Sequence, residues 1–153
     1  MKYKVGILLG SESDRKYVEK SMDYYEYFNI DAEVFILSAH RNPSSVADFA
    51  LNARNNGYSV LVCGAGMAAH LAGAVKANST LPVVGVPMPG GLSDGLDALL
   101  STVQMPKGVP VATMSMGNSG SINAAILCAE ILSLFDEKLV VKLSEFKKSG
   151  CTI

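Results

Sequence analysis

The segment VGILLGSESD (residues 5–14) contains the pattern that predicts the fold. Its apolar half, residues 5–9, has the length and composition of a buried β-strand, and glycine and serine end that strand before a helical stretch, residues 14–28. The pattern recurs: the other predicted strands are residues 33–37, 60–63, 83–86 and 109–114, and the other predicted helices are residues 43–56, 67–77, 122–135 and 137–147. Strands that alternate with helices through short connections favour a parallel sheet covered on both faces.

The fold class that follows is α/β, an open three-layer α/β/α sandwich formed by a single domain over residues 1–153. Two helical segments come after the last strand, so at least one of them is expected to pack outside the sandwich. Ser11 or Ser13 is predicted to cap the first helix, and Gly57 is predicted to end the second.

Composition excludes one class of partner and leaves a question open. The 153 residues include 13 basic and 14 acidic side chains, a formal net charge of −1, so we expect neither nucleic-acid nor anionic-membrane binding. Only 18% of the residues are charged, whereas about 25% is usual. This shortage of polar surface has two explanations: elements buried on both faces, or an exterior covered by other subunits.

The cysteines and the amino-terminal sequence indicate the compartment. Cys63, Cys128 and Cys151 are odd in number and form no CxxC pair, which suits a reducing environment rather than a disulfide framework. We find no pattern typical of a signal peptide or a membrane span, and therefore expect a cytoplasmic protein.

The chemistry-bearing residues follow the predicted strands. Ligands of such sheets bind outside the carboxyl ends of the strands. Both histidines of the chain, His40 and His70, fall in loops at this edge, together with Arg41 and Asp14. A single histidine there is as consistent with a structural role as with a functional one, but two favour proton transfer near neutral pH.

The first loop has the features of an anion site. Ser11 and Ser13 offer hydroxyls at a helix N-terminus, and Arg41 from the next loop can bind the same anion. Asp14 suits the hydroxyls of a sugar, so a ribose phosphate fits this edge. Plain helix capping by the serines and Asp14 remains the alternative.

A third loop resembles a dinucleotide-binding fingerprint in spacing only. Gly64, Gly66 and Ala69 have the required intervals, but the acidic residue expected about 20 positions later is missing. We therefore expect no nicotinamide cofactor, and interpret the glycines as allowing a ligand close to the backbone. The histidines lack a third partner at ligand spacing, so no metal is expected.

Four motifs together closely resemble the PurE family, the N5-carboxyaminoimidazole ribonucleotide mutases of purine biosynthesis. They are GSESD (10–14), SAHRNP (38–43), GAGMAAHL (64–71) and STVQMPKGVPV (101–111), and the resemblance spans nearly the whole chain. It implies a flavodoxin-like sheet of order 2-1-3-4-5 and an octamer with active sites at subunit interfaces. It also implies an isomerase that moves a carboxylate from the exocyclic nitrogen of the nucleotide to C4 of its ring, without a cofactor.

The resemblance also assigns roles to residues. It makes His40 the general acid and base, Ser11, Asp14 and Arg41 the substrate-binding residues, and Ser13 and Ser38 assisting residues. The loop around the base and carboxylate would contain Gly64, Ala65, Gly66, Ala69 and His70. Arg41 and His70 favour the mutase over the family's direct carboxylase, which uses CO2. Met67 stands where the family commonly has glycine.

Overall fold

A computed structural model describes residues 3–153. The strands are β1 (Lys4–Leu9), β2 (Asp31–Ile36), β3 (Tyr58–Ala65), β4 (Val83–Pro87) and β5 (Ala112–Thr113). The α-helices are α1 (Glu19–Tyr27), α2 (Pro43–Asn52), α3 (Leu71–Asn78), α4 (Leu96–Val103), α5 (Gly117–Ser133) and α6 (Glu137–Lys148), and short 3-10 helices cover Glu12–Tyr17 and Leu92–Asp94.

The five strands form one parallel sheet in the order β2-β1-β3-β4-β5, which confirms the predicted fold class and strand order. Leu9 at the end of β1 is in register with Ile36 of β2 and Gly64 of β3. The loops after these three strands consequently begin at the same level of one sheet edge.

Two apolar cores lie on the two faces of the sheet because successive strand side chains point to opposite sides. Ile7 and Leu9 belong to the core under α1 and α5, whereas Leu8 belongs to the core under α2 and α3. The helix α6 packs against α5, and its Phe146 is buried beside Phe28, with ring centroids 5.5 Å apart. One of the two last helices therefore lies outside the three layers, as predicted.

The structure changes two of the predicted elements markedly and adds one that was not predicted. The predicted helix 14–28 consists of two parts, a 3-10 helix over Glu12–Tyr17 and the helix α1, which meet at Val18. The predicted strand 109–114 is reduced to two residues, since Pro110 has no N–H to donate to a ladder. The helix α4 was not predicted.

The predicted helix ends are confirmed in part. Ser11 is the N-cap of the 3-10 segment, and its side chain accepts a hydrogen bond from the Ser13 amide. Gly57, with a φ of +85°, follows α2 in a turn in which its N–H donates to Arg54 O and the Tyr58 N–H donates to Ala53 O. None of the helices within residues 3–153 is long and apolar enough to cross a membrane.

Candidate active site

A cavity of about 510 Å³ lies at the carboxyl edge of the sheet, where the loops after β1, β2, β3 and β4 meet. Nine of the eleven residues predicted for the site line it: Ser11, Ser13, Asp14, Ser38, His40, Arg41, Ala65, Gly66 and His70. The sheet order explains the convergence, because β1 lies between β2 and β3 and its loop borders both of theirs.

The two histidines are in direct contact. His40 Nε2 and His70 Nδ1 are 2.6 Å apart, and the rings meet edge to face at 89°. His40 comes from the loop after β2 and His70 immediately precedes α3. The sequence placed both at one edge, and the structure shows in addition that they form a pair.

This contact limits the charge of the pair. A hydrogen bond between two ring nitrogens needs one donor and one acceptor, whereas two imidazolium rings would each present an N–H. The contact is therefore compatible with at most one charged ring. When His40 is charged, its Nε2–H donates to a neutral His70 that carries its own proton on Nε2.

The loop after β1 is ordered by its serines. Ser11 Oγ accepts hydrogen bonds from the Ser13 amide at 3.3 Å and from the Ser13 hydroxyl at 2.9 Å. Burial raises the pKa of the Asp14 carboxyl above its usual value, while hydrogen bonds from the Ser11 backbone and the Ser13 side chain and the charge of Lys16 act in the opposite direction. The cavity thus has a partly desolvated carboxylate beside two hydroxyls.

A compact turn after β2 presents His40 and Arg41. The Ser38 hydroxyl accepts a hydrogen bond from the Arg41 backbone N–H at 3.2 Å, and the Asn42 backbone N–H donates to Ser38 O at 2.8 Å.

The Arg41 side chain takes part in none of the ion pairs of the described residues. Ion pairs among residues 3–153 join Lys4 to Glu33, Arg15 to Glu12, and Lys147 to Glu130. Within that part of the chain the Arg41 guanidinium therefore has no acidic partner, and it is free to bind an anion.

The other two predicted residues, Gly64 and Ala69, do not line the cavity. Both are buried, and a Cβ on Gly64 would meet the Leu9 side chain at 2.9 Å and collide with the end of Met88. The absence of a side chain at Gly64 therefore serves strand packing. Ala65 and Gly66 line the cavity instead, and Met67, exposed by 67%, has a φ of +54°.

Part of the cavity wall was not assigned from the sequence. Pro89, Gly90 and Gly91 follow β4 and complete the wall beside the loop after β3. The sequence did contain a signal for this wall. The loop follows the predicted strand 83–86, and in a parallel sheet it leaves at the same edge as the loop after β3, the neighbouring strand.

In the part of the chain that the structure describes, neither a metal-ligand cluster nor a cysteine lines the cavity. No group of three His, Cys, Asp or Glu side chains able to hold a metal occurs within residues 3–153. Cys63 is buried inside β3, as predicted, and burial raises the pKa of its thiol far above the usual value, which leaves it unreactive.

The fold and the cavity together define a flavodoxin-like α/β enzyme with two paired histidines and an arginine at the carboxyl edge of its sheet. A family model described as AIR carboxylase matches residues 4–151. The chain belongs to this family.

Relatives with known names agree with that assignment. The chain is 47% identical over 145 residues to the N5-carboxyaminoimidazole ribonucleotide mutase of Bacillus subtilis, covering 95% of this chain and 90% of the relative. It is 41% identical over 146 residues to the Escherichia coli (strain K12) mutase of the same name, covering 95% and 86%. The crystal structure of Treponema denticola PurE superposes with a TM-score of 0.88 at 26% identity, covering 98% of this chain and 92% of that one.

Proposed function

We propose that this chain is an N5-carboxyaminoimidazole ribonucleotide mutase of purine biosynthesis, an isomerase that converts its substrate to 4-carboxy-5-aminoimidazole ribonucleotide. The observation that carries the proposal is the contact of His40 Nε2 with His70 Nδ1 in the cavity that Arg41 also lines. The names of the relatives at 41–47% identity favour this reaction over direct carboxylation with CO2.

The substrate is held through its ribose phosphate. Arg41 binds the phosphate, since its guanidinium has no acidic partner among residues 3–153, and the Ser11 and Ser13 hydroxyls add hydrogen bonds. Asp14 accepts from the ribose hydroxyls. Ser38 assists by fixing the Arg41 amide through its own hydroxyl.

His40 performs two proton transfers that balance. It first gives a proton to the exocyclic nitrogen as the bond from that nitrogen to the carboxylate carbon breaks and CO2 forms. The electron-rich C4 then attacks the retained CO2, forming the new carbon–carbon bond, and His40 removes the proton from C4. The enzyme ends in its starting protonation state, so the reaction needs no external acid, base or cofactor.

His70 and the adjacent loop support these steps. The His70 ring accepts from His40 Nε2 whenever His40 is charged, and this stabilises the imidazolium. The backbone of Ala65 and Gly66 borders the carboxylate and the CO2 derived from it, where amide groups stabilise negative charge. Gly64 acts from behind the wall, because its missing side chain lets β3 pack against Leu9 and Met88, and Ala69 is buried after the loop.

The function is tested by an isomerisation assay. Purified protein is added to the N-carboxylated nucleotide, and the C4-carboxylated isomer is followed against the uncatalysed background. No acceleration contradicts the proposal. A parallel reaction offers aminoimidazole ribonucleotide with CO2, and rapid turnover there alone identifies a direct carboxylase instead.

A His40→Asn variant tests the role of the acid and base. It is expected to lose turnover by about 10²- to 10⁴-fold while still binding the product nucleotide. A correctly folded variant that no longer binds would instead make His40 a binding residue.

Assembly and location belong to the same proposal. We propose a cytoplasmic homo-octamer of this single catalytic domain, with a ribonucleotide as its small-molecule ligand. Exposed apolar side chains on α4 support an assembly larger than the monomer. The mass of the assembly in solution tests this part independently of the reaction.

A further inference from the structure

The loop between β4 and α4 combines a place in the cavity wall with an unusual backbone. Gly90 and Gly91 line the cavity. From Gly90 to Gly95, every residue except Leu92 has a positive φ, and two of these, Ser93 at +48° and Asp94 at +54°, are not glycines. Such a conformation is costly for residues with a side chain, so the surrounding structure must hold it.

Asp97, in the first turn of α4, provides that hold. Its Oδ2 accepts a hydrogen bond from the Leu92 amide at 3.1 Å, and its Oδ1 accepts from the Ala98 amide at 2.8 Å. The carboxylate also lies directly behind Gly91, because a Cβ added to Gly91 would be 2.6 Å from Asp97 Oδ2. The helix thus holds the loop against the cavity through one side chain.

The amide of Gly91 is left available by this arrangement. The Gly90 N–H donates to Asp94 Oδ1 and the Leu92 N–H donates to Asp97 Oδ2. The Gly91 N–H between them has no acceptor within residues 3–153. A backbone donor at the wall of a cavity that takes an anionic nucleotide is suited to bind one of its oxygens.

We propose that Asp97 is a positioning residue of the substrate site, which fixes the Gly90–Gly91 backbone so that the Gly91 amide donates a hydrogen bond to an anionic oxygen of the substrate. This inference rests on the proposed function, because it assigns the donor a partner on the carboxylated nucleotide. Asp97 acts through the loop and does not touch the substrate.

The test compares steady-state kinetics of the isomerisation with thermal unfolding. Asp97→Ala removes both hydrogen bonds, and we expect KM to rise about 3- to 10-fold with kcat within twofold of the parent. Asp97→Asn keeps one carbonyl oxygen that can accept from the Leu92 amide, so its KM should lie between that of the parent and that of Asp97→Ala. Gly91→Ala disturbs the same contact from the other side and should also raise KM.

A matched control removes a comparable bond at the opposite edge of the sheet. The Ser79 hydroxyl accepts from the Leu81 amide at 3.2 Å in the loop that leads into β4. Ser79→Ala should lower Tm without changing KM. In the double variant Gly91→Ala with Asp97→Ala, KM should rise no further than in the more affected single variant, because both changes break one contact.

The outcomes separate this inference from the function on which it rests. An active parent whose Asp97→Ala variant unfolds at a lower temperature but keeps KM within twofold overturns the inference alone, and makes Asp97 a purely structural residue. A parent without turnover overturns the proposed function and this inference with it. A rise in KM that Asp97→Asn partly reverses supports both.

Discussion

Removing the His70 ring tests how the histidine pair works. In the reaction as proposed, His40 becomes charged each time it takes a proton, and its Nε2–H then donates to His70 Nδ1 across 2.6 Å. A hydrogen bond to a charged group contributes about 1.5–3 kcal/mol. Since about 1.36 kcal/mol corresponds to a tenfold change in rate, we expect His70→Ala to lower kcat by about 10- to 150-fold, through the removal of the C4 proton, which is the step in which a neutral His40 becomes charged.

The chain offers an isosteric control for this change. An asparagine side chain places an amide atom where a histidine has Nδ1, and Nδ1 is the atom of His70 that meets His40. The amide oxygen of His70→Asn can accept from His40 Nε2–H, so this variant should recover part of the lost kcat. The measurement is single-turnover isomerisation, which separates the chemical steps from product release.

A double-variant cycle decides between two roles of His70. If His70 acts only through His40, then His40→Asn combined with His70→Ala should be no slower than His40→Asn alone. Multiplicative losses would refute the reasoning, because they would mean that His70 contacts the substrate independently of His40.

Three further changes address single positions of the site. Because burial raises the pKa of Asp14, its charged form destabilises the folded chain, so Asp14→Asn should raise Tm at pH 7. This advantage should shrink as the pH falls through the raised pKa of the parent carboxyl, and it should vanish where that carboxyl is protonated in the unfolded chain as well. Calorimetry at several pH values measures this, and an equal gain at every pH would contradict it. Gly64→Ala should lower the free energy of unfolding by about 1–3 kcal/mol, because the added methyl group meets Leu9 and Met88. The KM of the folded enzyme should not change. Denaturant unfolding measures the first effect and steady-state kinetics the second, and a changed KM would indicate a ligand contact. Met67→Gly should relieve the positive φ and stabilise the chain by about 0.5–1 kcal/mol, and unchanged or lower stability in the same unfolding experiment would show that this backbone stores no strain.

Much of the fold could be predicted because its signals are local. Each buried strand is a short apolar run followed by glycine, serine or proline, and in a parallel sheet these runs are apolar on both faces. The helix α4 was missed because it has only eight residues, Leu96–Val103, and follows a loop rich in glycine, which is typical of a turn. The strand β5 was overextended because apolar composition outweighed the missing N–H of Pro110.

The site could be predicted at the level of edges but not of contacts. Alternation of strands and helices placed His40 and His70 in loops at one edge, but their 2.6 Å contact depends on the lengths of two loops separated by 30 residues in sequence. Gly64 and Gly66 belong to the same sequence motif, and the sequence alone does not distinguish their roles. In the structure Gly64 lies within β3, where a side chain would meet Leu9 and Met88, whereas Gly66 comes after the last residue of β3 and lines the cavity.

The low proportion of charged residues has two sources that the structure separates. The strands β1, β3 and β4 are buried on both faces, which accounts for part of the apolar content. A second part lies on the surface, as an apolar stripe along one side of α4 and the turn before it. The stripe consists of Leu92, Leu96, Leu100 and Val103, which are 69%, 44%, 48% and 48% exposed.

Such a stripe is expected to be covered in an oligomer, since contiguous apolar surface of this kind is uncommon on monomers. We therefore expect Leu100→Lys to lower the mass of the assembly in sedimentation measurements from that of eight chains of 16.1 kDa each. The matched control is Leu51→Lys, because Leu51 is 63% exposed on α2, outside the stripe. A parent chain that sediments as a monomer at micromolar concentration would contradict this explanation, and the surface stripe would then need a different partner.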